Sequence, residues 1–136
     1  MLKKTLVSGF VYHNKKVLLL KRNKNKKYFP EHYERPGGHL EKIDSSLEQA
    51  ISREILEETG LDINIGKMYF TYSNKIDKIS YTEHSFLVQL NELEHKIKLS
   101  EDEHVSYKWV SQEKLDNYKI DVNEKKAILA GFKTLY

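Results

Sequence analysis

The sequence predicts a single domain of the α/β or α+β class, built on a mixed β-sheet with two or three helices. Its 136 residues match the usual length of one domain. Segments rich in aromatic and β-branched residues occur along the chain together with segments of helical periodicity. Hydrophobic residues make up 39% and charged residues 32% of the chain, which suits a folded domain with one core and argues against disorder.

The predicted elements follow one another along the chain. Runs of apolar, aromatic and β-branched residues predict strands at residues 5–12, 17–20, 63–72, 81–90 and 104–110. Helical patterns predict helices at residues 47–59, 111–117 and 123–135. Two polar or charged segments, 21–35 and 91–102, predict loops, and the Pro-Gly-Gly segment at 36–38 predicts a turn or a tight strand end.

The helix predicted at residues 47–59 has clear signals at both ends. Ser46 is a typical N-cap, because its hydroxyl can accept a bond from a free backbone N–H of the first turn. Gly60 is a typical stop, because glycine readily adopts the left-handed conformation that ends a helix. Together these two residues set the predicted bounds of the helix.

Charge is distributed unevenly along the chain. The net charge is only +3, but residues 1–42 hold eleven Lys and Arg against three Glu, and the remainder holds twelve against seventeen acids. The densest basic run, from Lys21 to Lys27, includes Arg22. It predicts either a solvated loop or a positive rim that attracts a phosphate-bearing ligand. With three arginines and no basic stripe interleaved with aromatics, a stable nucleic-acid complex is not expected.

The sequence also bears on compartment. It contains no cysteine, which excludes disulfides and thiolate chemistry. The apolar run near the N-terminus is short and no small-residue cleavage site follows it, so we interpret it as a strand and not as a signal peptide. No apolar segment approaches the roughly 20 residues that cross a bilayer. We therefore expect a cytoplasmic protein without a membrane partner.

An acidic half-stripe lies on the helix predicted at residues 47–59. At about 100° per residue, one stripe of this helix contains Leu47, Ile51, Glu54 and Glu58. Ala50 and Glu57 flank the stripe on the same side. The stripe is apolar in its first half and acidic in its second, which is unusual for a face that packs on a core. Crowded carboxylates repel one another, and a hard divalent cation such as Mg²⁺ or Mn²⁺ compensates them. The alternative is an exposed acidic helix end.

These residues resemble the signature of the MutT-like Nudix hydrolases. That signature contains Gly, five residues, Glu, seven residues, and then Arg-Glu-aliphatic-any-Glu-Glu-any-Gly-aliphatic. The second half matches in full from Arg53 to Leu61, and the Pro-Gly-Gly lead-in matches at Pro36 to Gly38. Mixed residue types over so long a motif make this a specific signal, and the resemblance covers most of the chain.

The first half of the motif departs from the signature by one residue. Fourteen residues separate Gly38 from Arg53, whereas the signature has thirteen. The first Glu of the signature is replaced by Asp44 or by Ser45. Because that position supports the loop-to-helix junction in the family, we expect the insertion to affect loop geometry and affinity, while activity survives.

The resemblance implies an α/β/α sandwich around a mixed sheet, formed by one domain over residues 1–136. It implies hydrolysis of a nucleoside diphosphate linked to another moiety. It also implies a metal site in which Glu54, Glu57 and Glu58 bind Mg²⁺, or alternatively Mn²⁺, with the Gly38 carbonyl near the metal.

The resemblance further implies roles in catalysis. Arg53 would orient a carboxylate, and its spacing of four residues from Glu57 suits a charge-assisted bond. The general base comes either from the signature, as at Glu57, or from a loop before a later strand. In that loop Glu103 is the first candidate, Glu101 the second, and His104 is less favoured; a solvated loop acid is the alternative for Glu103.

Candidate substrate-binding residues are few. Gly37 permits a ligand to approach the main chain, and His39 follows the glycines and can face a phosphate. Arg22 belongs to the basic run that would attract that phosphate. Aromatic side chains that could stack on a base, or could equally belong to the core, are Tyr69, Phe70, Tyr72, Tyr81, Phe86 and Trp109.

The expected function is metal-dependent pyrophosphohydrolysis, with a nucleoside triphosphate, oxidised or not, as the simplest substrate. ADP-ribose, another nucleotide sugar or a dinucleoside polyphosphate is an alternative, and so is a non-catalytic nucleotide-binding module of the same fold. Three intact acids favour the enzyme, because binding alone does not need them. The expected partner is a small nucleotide, and the oligomeric state stays open, a homodimer included.

Overall fold

The computed structural model describes residues 2–91 and 96–136, which fold around one large sheet. Its seven strands are β1 (Leu2–His13), β2 (Lys16–Arg22), β3 (Tyr33–Glu34), β4 (Gly37–His39), β5 (Ile63–Ile76), β6 (Ile79–Leu90) and β7 (His104–Ser111). The helical elements are α1 (Leu47–Thr59), a 3₁₀ helix (Gln112–Asn117) and α2 (Val122–Leu135). This content confirms the predicted α/β class.

Strand β1 organises the sheet. It pairs in parallel with β6, from Leu2 opposite Ile79 to Tyr12 opposite Gln89, and antiparallel with β2 and β4. β5 pairs antiparallel with β6, while β3 and β7 pair antiparallel with β2. A parallel pair needs a long crossover connection, and the chain between β1 and β6 supplies it. The sheet is therefore mixed, as predicted.

Side chains of the central strands alternate between two faces, and one helix covers each face. The cluster on the first face includes residues of α1 and contains Val7, Val11, Leu18, Leu20, Ala50, Ile51 and Ile55. The cluster on the second face includes residues of α2 and contains Phe10, Val17, Leu19, Leu87, Ile128 and Phe132. Two helical layers around one sheet give the α/β/α sandwich that the resemblance implied.

The bounds of α1 are those predicted. The Ser46 hydroxyl accepts a hydrogen bond from the Gln49 N–H at 3.0 Å, and Gly60 ends the helix with a φ of 70°. The Gly60 N–H donates to the Leu56 carbonyl at 2.9 Å. Within residues 2–91 and 96–136, neither α1 nor any other helix has both the length and the apolar character needed to span a membrane.

The buried face of α1 differs from the predicted stripe at two residues. Ile55, which the prediction omitted, is fully buried, whereas the Glu57 side chain is 58% exposed. On the helical wheel Ile55 lies about 40° from Ile51, but Glu57 lies about 120° away. The packed face is therefore centred between Ile51 and Ile55. This turns Glu58 inward, leaves Glu54 at the edge and directs Glu57 towards solvent.

Several predicted bounds need correction. Residues 33–34, predicted as loop, form β3 by pairing with the end of β2. The two glycines at 37–38 lie in β4 against β1, which agrees with the strand alternative predicted for them. β5 and β6 run further than predicted and meet at a tight turn, where Asp77 and Lys78 both have positive φ. Such turns match the twist of antiparallel strands, but no glycine marks this one. Part of the predicted connection at 91–102, residues 92–95, lies outside the described residues.

Replacing Gly131 of α2 should destabilise the fold through a packing clash. A Cβ atom at this position would overlap the ring of Phe10, which is fully buried. Gly131→Val should therefore lower the free energy of unfolding by roughly 2 kcal/mol, because overpacked cores lose stability. Lys133→Val, at an exposed position of the same helix, is the matched control. Equal urea midpoints for the two variants would contradict the packing argument.

Candidate active site

A cleft of about 380 Å³ opens beside the N-terminal half of β1. Its walls come from β4, from the loop at residues 23–32, from the β5–β6 hairpin and from the start of α2. A volume of this size suits a small-molecule ligand. The predicted site residues that line it are Arg22, Gly37, Gly38, His39, Glu58 and Glu103. The fold thus brings distant parts of the sequence to one cleft.

Glu58 is the acid of α1 that enters this cleft. Its Oε1 atom accepts a hydrogen bond from the Gly37 N–H at 2.8 Å, and only 6% of the residue is exposed. Burial raises the pKa of Glu58 well above its ordinary value, although the Gly37 N–H opposes that shift. Neighbouring carboxylates raise this pKa further, namely those of Glu34, Glu54 and Glu103. A buried carboxylate among like charges favours a proton or a cation beside it.

Glu54 packs directly on Gly38. A Cβ atom at Gly38 would lie 2.5–2.6 Å from the carboxylate of Glu54, so the close approach requires glycine. Burial raises the pKa of Glu54 above its ordinary value, and the Arg53 guanidinium opposes this shift. The glycine pair therefore meets two carboxylates of α1, one through an N–H group and the other through close packing.

Arg53 binds carboxylates from the loop before α1 and from α1 itself. Its Nε and Nη2 atoms donate to the two oxygens of Asp44 at 2.9 Å each, a bidentate pair that lowers the pKa of Asp44. Its Nη1 atom donates to Glu54 at 3.1 Å and to Glu57 at 3.2–3.3 Å. Ser45, the other candidate for the first acid of the signature, contacts the first turn of α1 instead. Arg53 thereby ties the loop to the acids near the end of the helix.

The three acids of the signature do not converge on one point, although Glu54 and Glu57 both bind Arg53. Glu57 remains with Arg53 at the surface, whereas Glu54 and Glu58 meet the glycines. Among residues 2–91 and 96–136, no three carboxylate or imidazole side chains lie close enough together to hold a metal ion. The donors still fit a hard divalent cation, because they are carboxylate oxygens, and the burial that raises the pKa values of Glu54 and Glu58 disfavours their charge without a cation beside it.

A buried histidine lies behind Glu58. His104 is 1% exposed, and its Nε2 atom lies 2.9 Å from the Glu34 carboxylate. Its Nδ1 atom lies 3.5 Å from the Glu58 carboxylate and has no hydrogen-bond partner among the described residues. Arg22 donates to both oxygens of Glu34 at 3.0 and 3.2 Å. Arg22, predicted to bind substrate, is thus held by an acid that sequence reasoning did not single out.

Glu103 also lines the cleft, where it pairs with a lysine of the basic run. Lys26 Nζ lies 2.7 Å from Glu103 Oε2, and this hydrogen bond lowers the pKa of Glu103. The bond to Lys26 keeps the Glu103 carboxylate ionised, but it also makes this carboxylate a weaker proton acceptor, because a group with a lowered pKa binds a proton less readily. Glu101, the second candidate, is absent from the lining of the cleft and contributes its backbone carbonyl to a bond from Asn23.

Arg35, which precedes the Pro-Gly-Gly segment, is a cleft residue that the sequence did not predict. Its fully buried guanidinium donates to Glu124 at 2.9 Å, to Glu83 at 2.5 Å and to Ser85 at 2.6 Å. Burial alone would lower the pKa of Arg35, but Glu124, then Tyr69 and Glu83 hold it well above its ordinary value. These partners lie 34 or more positions away in sequence, so no local pattern signals them.

Only some of the aromatic candidates reach the cleft. Tyr72 and Tyr81 line it, whereas Phe86 is a core residue that is 3% exposed. Trp109 is not among the lining residues, and its predicted substrate contact is corrected. It pairs in register with Leu18 on β2, and both side chains pack on the cluster that faces α1. Strand register, which the sequence does not reveal, decides this orientation.

Comparison with known protein families decides how this site is classified. A family model for the NUDIX domain matches residues 3–132. The chain belongs to the Nudix family. The match includes α1, most of α2 and all the acids described above, and it confirms the family that the sequence resembled.

Individual Nudix relatives differ widely in their names. The chain is 50% identical over 48 residues to the m7GpppN-mRNA hydrolase NUDT17 of Xenopus laevis, a match that covers 35% of the chain and 16% of that protein. The MutT protein of Methanosarcina mazei Go1 has a similar structure, with a TM-score of 0.78, 24% identity and coverage of 98% and 95% of the two chains. An ADP-ribose pyrophosphatase of Streptococcus suis gives a TM-score of 0.75, 17% identity and coverage of 97% and 91%. These structural likenesses establish the fold.

Alanine at the two cleft glycines should have different consequences. At Gly37 the added Cβ would overlap the backbone carbonyl of Val7, so Gly37→Ala should lower the unfolding midpoint. At Gly38 it would meet the end of the Glu54 side chain, which can move. Gly38→Ala should therefore keep its unfolding midpoint but bind Mn²⁺ about tenfold more weakly, as measured by electron paramagnetic resonance.

The two glycine variants control for each other. Unchanged Mn²⁺ affinity in Gly38→Ala would show that the Glu54 carboxylate has no part in metal binding. Equal losses of stability in both variants would contradict the distinction between a backbone contact and a side-chain contact.

Proposed function

We propose that this Nudix protein is a metal-dependent pyrophosphohydrolase that cleaves the pyrophosphate linkage of a nucleoside diphosphate linked to another moiety. Its simplest substrate is a nucleoside triphosphate, oxidised or not, bound as a small molecule in the cleft beside β4. In this proposal residues 1–136 form one catalytic domain that acts in the cytoplasm.

The observation that carries the proposal is the meeting of one buried and one partly buried carboxylate with two adjacent glycines at the edge of the cleft. Glu58 accepts the Gly37 N–H, and Glu54 covers Gly38. Both carboxylates have pKa values raised first by burial. An arrangement that keeps acids dehydrated in an open cleft is unfavourable unless a cation binds there, and a cation beside a cleft of this size can bind a phosphate-bearing ligand.

Nudix hydrolases generally use a divalent metal ion. In this chain Glu54, Glu57 and Glu58 would hold Mg²⁺ or Mn²⁺, with the Gly38 carbonyl nearby. Mg²⁺ usually binds through one or two carboxylates together with substrate phosphates, so a complete cage of protein ligands is not required. When bound, such an ion neutralises phosphoryl oxygens and lowers the pKa of water.

Other side chains in and near the cleft accept the proton from water and bind phosphate in this proposal. Glu103 is the favoured acceptor of the proton from water, because its carboxylate lines the cleft. Glu57, the other candidate, is held by Arg53, which orients it. Burial lowers the pKa of His39 and so favours the neutral imidazole, which can still donate one hydrogen bond to a phosphate.

Two other substrate classes deserve a direct comparison with triphosphates. The segment shared with the mRNA-cap hydrolase NUDT17 favours a capped or dinucleotide substrate, and the structural likeness to an ADP-ribose pyrophosphatase favours ADP-ribose. A panel of triphosphates, ADP-ribose and dinucleoside polyphosphates, assayed for phosphate, pyrophosphate and mononucleotide release, separates these classes. No turnover of any member with Mg²⁺ or Mn²⁺ would leave the non-catalytic binding module as the better description.

Glu57→Gln should keep the fold and lose turnover. The substitution preserves shape but removes a charge that both the metal and Arg53 require, so kcat should fall at least about 100-fold with Mg²⁺ present. Glu48→Gln, at an exposed position in the first turn of α1, is the matched control and should retain its rate. Wild-type rates in Glu57→Gln would overturn the proposed metal-dependent mechanism.

A further inference from the structure

The loop at residues 23–32 is a compact unit that covers one side of the cleft. Its ends meet where the Arg22 N–H donates to the His32 carbonyl at 2.9 Å. Arg22 Nε also donates to the Tyr28 carbonyl at 3.0 Å, and the Lys26 N–H donates to Asn23 at 3.2 Å. Loops closed in this way are often functional, because they hold their side chains in place. Here the loop holds Lys26 in the lining of the cleft.

Three Lys and Arg side chains line the cleft, and they differ in how fully they are used. Arg35 is completely buried and bonded to Glu83 and Glu124. Arg22 is bonded to Glu34 and to a loop carbonyl. Lys26 has three N–H donors, yet among the described residues its ammonium bonds to one side chain, that of Glu103. Arg22 and Lys26 each keep two N–H donors for an anionic ligand, but Arg22 is held by three bonds and Lys26 by one.

The Lys26–Glu103 pair can exchange partners at low cost. The two side chains are 27% and 47% exposed, and ion pairs this open to water contribute little to stability. The backbone at Glu103 is held independently, because its carbonyl accepts the Asn23 N–H at 2.9 Å. Breaking the ion pair would therefore leave both the loop and Glu103 in position.

We propose that Lys26 is a phosphate-binding residue that leaves Glu103 for a phosphate or pyrophosphate oxygen when substrate enters the cleft. In the free protein it neutralises Glu103. On binding, its ammonium moves to the ligand and releases the Glu103 carboxylate, which can then accept a proton from water. This inference rests on the proposed function for the identity of the ligand, but not for the existence of the site.

The exchange predicts effects of opposite sign at the two partners. Lys26→Gln removes the cation and should weaken binding of inorganic pyrophosphate, with Mg²⁺ in excess, by about tenfold. Glu103→Gln removes the competing carboxylate and should tighten pyrophosphate binding several-fold, even though turnover falls. Lys24→Gln changes the same charge at an exposed position of the same loop and should bind as the wild type does.

Isothermal titration calorimetry with pyrophosphate tests the exchange. The wild type, the four single variants at Lys24, Lys26 and Glu103, and the Lys26→Gln/Glu103→Gln double variant are compared. The tightening caused by Glu103→Gln should shrink when Lys26 is already gone, because no competition for the ammonium remains. Lys26→Arg should restore most of the affinity. Equal pyrophosphate affinity in Lys26→Gln and Lys24→Gln, weaker binding by Glu103→Gln, or no pyrophosphate binding by the wild type would each overturn the proposal.

The same proteins separate this inference from the proposed function. If the wild type hydrolyses a nucleotide but binds pyrophosphate independently of Lys26, the proposed exchange is wrong and the proposed enzymatic activity stands. If pyrophosphate binding depends on Lys26 but no nucleotide is hydrolysed, the phosphate site is supported and the proposed enzymatic activity is wrong.

Discussion

The contact between β4 and the acids of α1 is the constraint on which the rest of the site depends. Gly38 lets the Glu54 carboxylate of the helix lie against the strand, and Gly37 lets the strand pack tightly on the backbone of β1. That closeness lets one N–H bind Glu58 and lets Glu54 cover the second glycine. Both carboxylates lose hydration as a result, and the free energy of that arrangement improves when positive charge arrives. This packing is the basis on which we propose a cation site here.

Two arginines stabilise this contact, and both are more buried than Lys26, the lysine that lines the cleft. Arg53 joins Asp44 in the loop to the acids of α1, and Arg35 joins the start of the Pro-Gly-Gly segment to β6 and α2. Removing one partner of a buried pair leaves an unpaired charge, so both arginines support the fold as well as the charge balance. The more exposed Lys26–Glu103 pair is free of that constraint, which is why we assign the exchange to it.

The sequence predicted α1 and its caps well, because a helix depends on residues a few positions apart. The same locality explains the errors. Glu57 was placed inward because the wheel was centred without Ile55, and Trp109 was placed at the ligand because aromatic character suits a core and a base equally. The partners of Arg35, and the short strand β3, depend on chain segments far away in sequence. Asp44 is an intermediate case, in which the motif gave two candidates and the bidentate bond to Arg53 distinguishes them.

Anomalous diffraction from crystals grown with Mn²⁺ tests the central claim most directly. The account predicts a manganese peak at the Gly38 edge of the cleft, with carboxylate oxygens of Glu54 and Glu58 at about 2.0–2.3 Å. It also predicts that the peak disappears in Glu58→Gln crystals grown with the same concentration of Mn²⁺. A manganese peak at another acidic surface, or none at any concentration that supports turnover, would contradict the claim that the glycine contact creates the cation site.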